Sequence, residues 1–131
     1  MRLPDWHDRL WETVRKHEAI PFSWTQRNCC HFAFAAADAM TGSNRADVVK
    51  KFSTTQRQAL RHVIEAGGLR AFVSRHFGNP VLGRVQRGDI VLVDTPAGEV
   101  AGIWVGNAAL VTGEAGLVHY PRDAVLCRWE V

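Results

Sequence analysis

Apolar residues recur at four-residue steps at Trp6, Leu10 and Val14, with Trp11 beside them, and this spacing predicts an amphipathic helix over residues 4–17 whose stripe faces a core. Pro4 and Asp5 suit its first turn. Residues 20–24 then bring Ile20, Phe22 and Trp24 through an irregular approach to Asn28, a good N-cap. From Phe32 to Met40 the only charge is Asp38, and Thr41-Gly42 closes the run. Phe32, Ala33, Ala35, Ala36, Ala39 and Met40 wrap most of the way round a helical surface, which predicts a helix that other elements pack against. Ala35, Ala36 and Ala39 are expected to let a sheet approach closely. Residues 43–51 are polar and without period, a surface excursion. Ser53 and Gln56 fit a capping box, Ala59, Leu60, Val63 and Ile64 form a further stripe up to Gly67-Gly68, and residues 69–76 form a short helix with Phe72, Val73 and Phe77 inward. After Arg87 the period shortens. Turn signals at residues 94–98, 106–107, 113–116 and 121–124 separate strands at 90–93, 100–105, 108–111, 117–120 and 125–131. Helices followed by a meander of short strands predict one α+β domain over residues 1–131, with the helices packed on an antiparallel sheet.

Composition narrows the function classes. Sixteen basic and thirteen acidic residues are mixed along the chain, for a net charge of +3, without the concentrated basic stripe that phosphate backbones select, so no nucleic-acid partner is expected. No window approaches the eighteen apolar residues of a membrane span, and the first residues carry charge rather than a signal-type apolar run, which predicts a soluble product that stays in the cytoplasm as synthesised. Cys29 and Cys30 are adjacent and Cys127 is remote, so a disulfide framework is not expected and a reducing compartment is.

Chemistry concentrates at Asn28-Cys29-Cys30-His31. The cap signals put Cys29 in the first turn of the most apolar helix, where the orphan amides and the macrodipole favour a thiolate over a thiol. The competing reading is a small buried core residue, the common fate of a free cysteine. Cys30 lies about 100° further round the helix and is read as inert. The Cys-Cys-His run lacks the spaced pairs that wrap a tetrahedral ion, so neither metal nor cofactor is expected. His7 and His17 are read as solvated; His62, beside its stripe, is a candidate partner for sulfur, with a half-buried or solvated ring as the commoner case. Trp6 and Trp11 are read as packing rather than as a ligand groove.

An aromatic approach, a cysteine opening an alanine-rich helix that ends in Thr41-Gly42, Gly88-Asp89-Ile90-Val91 opening a strand, and Gly102-Ile103-Trp104-Val105-Gly106 in the next resemble the NlpC-like cell-wall peptidases of the papain-like superfamily. The likeness spans about residues 20–131 and is greatest to a phage and prophage branch, with Trp24, Asn28, Cys29, Thr41 and Gly42 at its marked positions. It implies a papain-like fold with Cys29 as nucleophile on peptidoglycan peptide, a strand histidine as base and a third polar residue orienting that histidine. The histidine position is Val100, the third position falls near Thr112, and Asn28 stands where close relatives carry aspartate. Valine accepts no proton, so the standard pair is missing. His31 is two residues past Cys29 and points to another side of a helix, which leaves His119 as the substitute base. The resemblance therefore implies a tail or morphogenesis component with a degenerate cysteine-peptidase site, binding other phage structural proteins and so virion-associated. The alternatives are an active cysteine hydrolase on cell-wall peptide using Cys29 and His119, and a cysteine-dependent amidase on a small molecule.

Overall fold

The computed structural model describes residues 2–18, 31–46, 61, 64–96, 98–113 and 116–131. Among the described residues the helices α1 (Trp6–His17), α2 (His31–Thr41) and α3 (Leu69–Phe77) precede the strands β1 (Ile90–Thr95), β2 (Gly98–Trp104), β3 (Ala109–Gly113), β4 (Gly116–Tyr120) and β5 (Val125–Trp129). A short 3-10 turn, Arg122–Ala124, sits between the last two strands. The expected α+β class and the antiparallel sheet are both present. Asn28, Cys29 and Cys30, the Trp24 approach, His62 and most of the stripe at 53–64 lie outside the described residues. Ile64, at the end of that stripe, is 73% exposed instead of inward.

The sheet runs in the order β4-β3-β2-β1-β5, with every neighbouring pair antiparallel. Strand alternation divides its side chains between two faces. Ile90, Leu92, Ala101, Ile103, Leu110 and Trp129 face the helices and join Leu10, Val14, Phe32, Phe34, Met40, Leu69 and Val73 in the main core. Val91, Val93, Trp104, Ala109 and Val111 form a second cluster on the far face, with Val85. Between Tyr120 on one edge and Val125 on the other the chain has five peptide steps, a reach of at most about 17 Å. Four strand spacings across a flat sheet come to about 19 Å. The sheet therefore curls with its far face inside, and the strap carrying Ala124 packs against that second cluster.

Helix α2 is as apolar in its surroundings as its sequence: Phe32, Ala33, Phe34, Ala36, Ala37 and Met40 are buried. The small residues that meet the core are thus Ala33, Ala36 and Ala37, while Ala35 and Ala39 are half-buried, a rotation of the expected face by about 100°. Gly42, at a φ of +78°, ends the helix as a left-handed C-cap, its amide donating to the Asp38 carbonyl at 2.7 Å. Asp38 then organises the polar stretch that follows: its carboxylate accepts from the amides of Arg45 and Ala46 at 2.8 and 2.7 Å and from the Ser43 hydroxyl. In α1, Leu10 and Val14 are buried as expected, but Trp11 is 40% exposed, at the margin of the stripe rather than in it.

Helices α1 and α2 pack antiparallel. At one end the Leu3 amide donates to the Met40 carbonyl at 2.7 Å. At the other the His17 ring stands 5.1 Å from the Phe32 ring. Among the described residues no helix is long and apolar enough to cross a membrane.

Candidate functional site

The antiparallel pairing brings the last turn of α1 to the N-terminal end of α2, so the imidazole that closes α1 lies beside the residue that follows Cys30. His17 is 6% exposed. It is a buried residue and not the solvated one its place at a helix end suggested. The burial comes from α2, which a single helical stripe in α1 does not reveal. A main-chain carbonyl only accepts, so the 2.8 Å contact with Thr13 is a hydrogen bond donated by Nδ1–H of His17. The proton is thereby fixed on Nδ1, and in the neutral ring Nε2 carries the lone pair. His31, the first residue of α2, faces it with 6.2 Å between ring centroids. Nε2 of His17 and Nδ1 of His31 are both shielded from solvent.

The strand residues tell a different story from the one expected. Val100 pairs with Val93 and packs in the second cluster, on the sheet face turned away from α2. It is half-buried on that face because Ala101 and Ile103 occupy the helix side and parity along a strand is strict. Thr112 is on the helix side, with Oγ1 buried and without a hydrogen-bond partner among the described residues. His119 sits on the edge strand β4 opposite Leu110, diagonal to Thr112, and is exposed. The sheet thus brings Thr112 and His119 to one face and leaves Val100 off it.

The remaining described candidates are structural. Cys127 is half-buried in β5, where burial pushes its thiol up from the ordinary cysteine range, which disfavours the reactive thiolate. His76 stands edge-on to Phe34 and Phe72, at 5.1 and 5.3 Å, and burial, with Arg45 and Arg75, pushes its pKa down toward a neutral packing ring. Gly88-Asp89 is more than a turn. Asp89 is 1% exposed and its Oδ2 accepts from Arg128 Nη1 at 3.0 Å and from the Gln86 amide at 2.8 Å, while Oδ1 faces Arg2 at 3.8 Å. Arg128 in turn donates to the carbonyls of Leu82 and Gly83. Among the described residues no group of three or more histidine, cysteine or acidic side chains is arranged to hold a metal ion.

No curated protein matches the chain. A family model described as a domain of unknown function (DUF6950) matches residues 1–131. The chain, with its buried core helix, curled antiparallel sheet and Asp89–Arg128 pair, therefore belongs over residues 1–131 to that family.

Proposed function

We propose that this chain is a cysteine hydrolase with a papain-like, NlpC-like fold, of phage or prophage origin, which cleaves an amide of cell-wall peptide with Cys29 as nucleophile. The observation that carries the reading is the imidazole pair of buried His17 and half-buried His31, at the end of α2 that follows Cys29 and Cys30 in the chain. A thiol becomes a nucleophile when a base stands within reach, and imidazole is the common base near neutral pH. The helix buried against an antiparallel sheet, with the thiols leading into it, agrees with the resemblance in the order of its parts.

A second reading keeps the same shell without catalysis, as a tail or morphogenesis component that binds other phage structural proteins. Val100 favours it, since valine at the histidine position faces away from α2. Incubating the protein with purified peptidoglycan and following released fragments by mass spectrometry separates the two. New peptide termini that disappear in Cys29→Ala support hydrolysis. An intact wall with the wild-type protein, together with recovery of the chain in purified virions, supports the binding shell.

A further inference from the structure

We propose that the outer side of β5, with the loop at residues 80–83, is a docking groove for an acidic peptide segment of a partner protein, one in which aliphatic side chains alternate with carboxylates. The groove shares no residue with the imidazole pair and does not depend on the hydrolase reading. β5 ends the sheet, and Val81 forms an isolated bridge to it at Arg128, its amide donating to the Arg128 carbonyl at 2.9 Å. Beside that bridge lies a cavity of about 210 Å³ between the loop and residues 125–128. The loop wall is held firmly: Arg128, 6% exposed, donates to the carbonyls of Leu82 at 2.6 Å and Gly83 at 3.3 Å. With its carbonyl clamped by a buried guanidinium, Leu82 still leaves its side chain 94% exposed, and Leu126, 50% exposed, lines the strand side. A wall already ordered in this way loses little entropy when a partner settles on it.

The charge along the groove has one sign. Arg70 and Arg122 line the cavity, both are exposed, and among the described residues neither lies within ion-pair distance of a carboxylate. The Arg70 charge is felt inside it: burial raises the Cys127 thiol, and Arg70 opposes that push. Arg70 and Pro80 also line the adjoining depression, where Arg75 adds a further exposed cation, so the two hollows form one path. Among the described residues no acidic or aromatic side chain lines either hollow. Single-stranded nucleic acid is held by aromatic stacking platforms, which this path lacks. A bilayer is flat on this scale and leaves a hollow unfilled. The cavity is also smaller than the range of about 300–1,000 Å³ that encloses a small molecule, and suits one or two side chains of an extended peptide. Carboxylates on the guanidiniums, with aliphatic side chains against Leu82 and Leu126, match both the charge and the exposed apolar surface.

The test titrates the isotope-labelled full chain with the peptide Gly-Glu-Leu-Glu-Leu-Glu-Gly and follows backbone amides by NMR. The expected result is saturable shifts at Leu82, Gly83 and Leu126, with a dissociation constant below about 1 mM that rises with added salt. Arg70→Glu combined with Arg122→Glu is expected to weaken binding by about tenfold or more. Arg15→Glu combined with Lys16→Glu changes the net charge equally at exposed positions of α1 and is expected to leave binding nearly unchanged. All four arginine and lysine positions are exposed, so the variants keep the fold, as their circular dichroism checks. A peptide with lysine in place of each glutamate is expected to cause no shifts. The absence of saturable shifts with the acidic peptide overturns the proposal, and so does equal weakening by the two double variants. Oligothymidylate or phosphatidylglycerol vesicles that shift the same amides at lower concentration than the peptide also overturn it, and give the groove to nucleic acid or to lipid headgroups. No step involves Cys29 or peptidoglycan, so a failed hydrolase reading leaves this result standing.

Discussion

Asp89 is the residue whose environment departs most from its sequence. Burial pushes its carboxyl above the ordinary carboxylate range, and the Gln86 amide, Arg128 and Arg2 all oppose that push. Removing one partner of a buried ion pair leaves an uncompensated charge and costs about 3–5 kcal/mol. Arg128→Met is expected to fall in that range at pH 7, as measured by urea unfolding. The variant's carboxyl then binds a proton more tightly in the folded state than in the unfolded one, so its stability falls as pH rises from about 4 through the raised folded pKa. The deficit relative to the wild type is expected to be smaller at pH 4 than at pH 7; an equal deficit at both would assign the cost to lost packing instead. In the sequence Gly88-Asp89 was legible as a turn. The pairing was not, because Arg128 is 39 residues away and the charges along the chain are mixed. His17 escaped for a related reason: its burial is a property of α2, not of the helix that carries it.

Among the elements, α2 was the most legible in existence and the least in phase. Its polar boundaries and its single interior charge mark it plainly, and Gly42 stops it as expected. An all-apolar helix, however, has no amphipathic face to fix its rotation, and alanine at 33, 35, 36, 37 and 39 offers almost any phase equally. The packing chooses Ala33, Ala36 and Ala37. Ala37→Leu is therefore expected to overpack the core by about 1–3 kcal/mol. Ala39→Leu, at a half-buried site, is expected to cost clearly less in the same thermal unfolding series, and the reverse order would contradict the rotation described. In β2, Val100 takes the face turned away from the helices, and a shift of one position along a strand reverses the face. Gly102, two residues on, carries its own signal: a Cβ there would meet the Leu110 carbonyl oxygen and, at 2.7 Å, a Val111 methyl, so the strands approach as closely as glycine allows.

For the whole molecule, helices first and a strand meander second were enough to read the α+β class and the antiparallel sheet. The curl of that sheet was not legible, since it follows from the return of β5 to β1 through a strap of four residues, a pairing that local patterns do not encode. The hydrogen bond from Arg2 Nε to the main-chain oxygen of Val131, at 2.8 Å, has a different kind of consequence. It holds residue 2 against residue 131, 129 positions apart in sequence, and a peptide link at Val131 would keep the same carbonyl oxygen in place. A circular permutant that joins Val131 to residue 1 through a short glycine-serine linker and opens at the exposed Gly106-Asn107 turn is expected to fold with a melting temperature close to that of the original. A second permutant opened between Arg122 and Asp123 cuts the strap and is expected to melt lower, since nothing then draws the far edges of the sheet toward each other. Equal melting of the two would mean that the curl is held by the sheet alone. In the first permutant β5 would lie next to α1 in chain order, bringing the closing strand and the opening helix of the present sequence into neighbouring positions on a reordered loop.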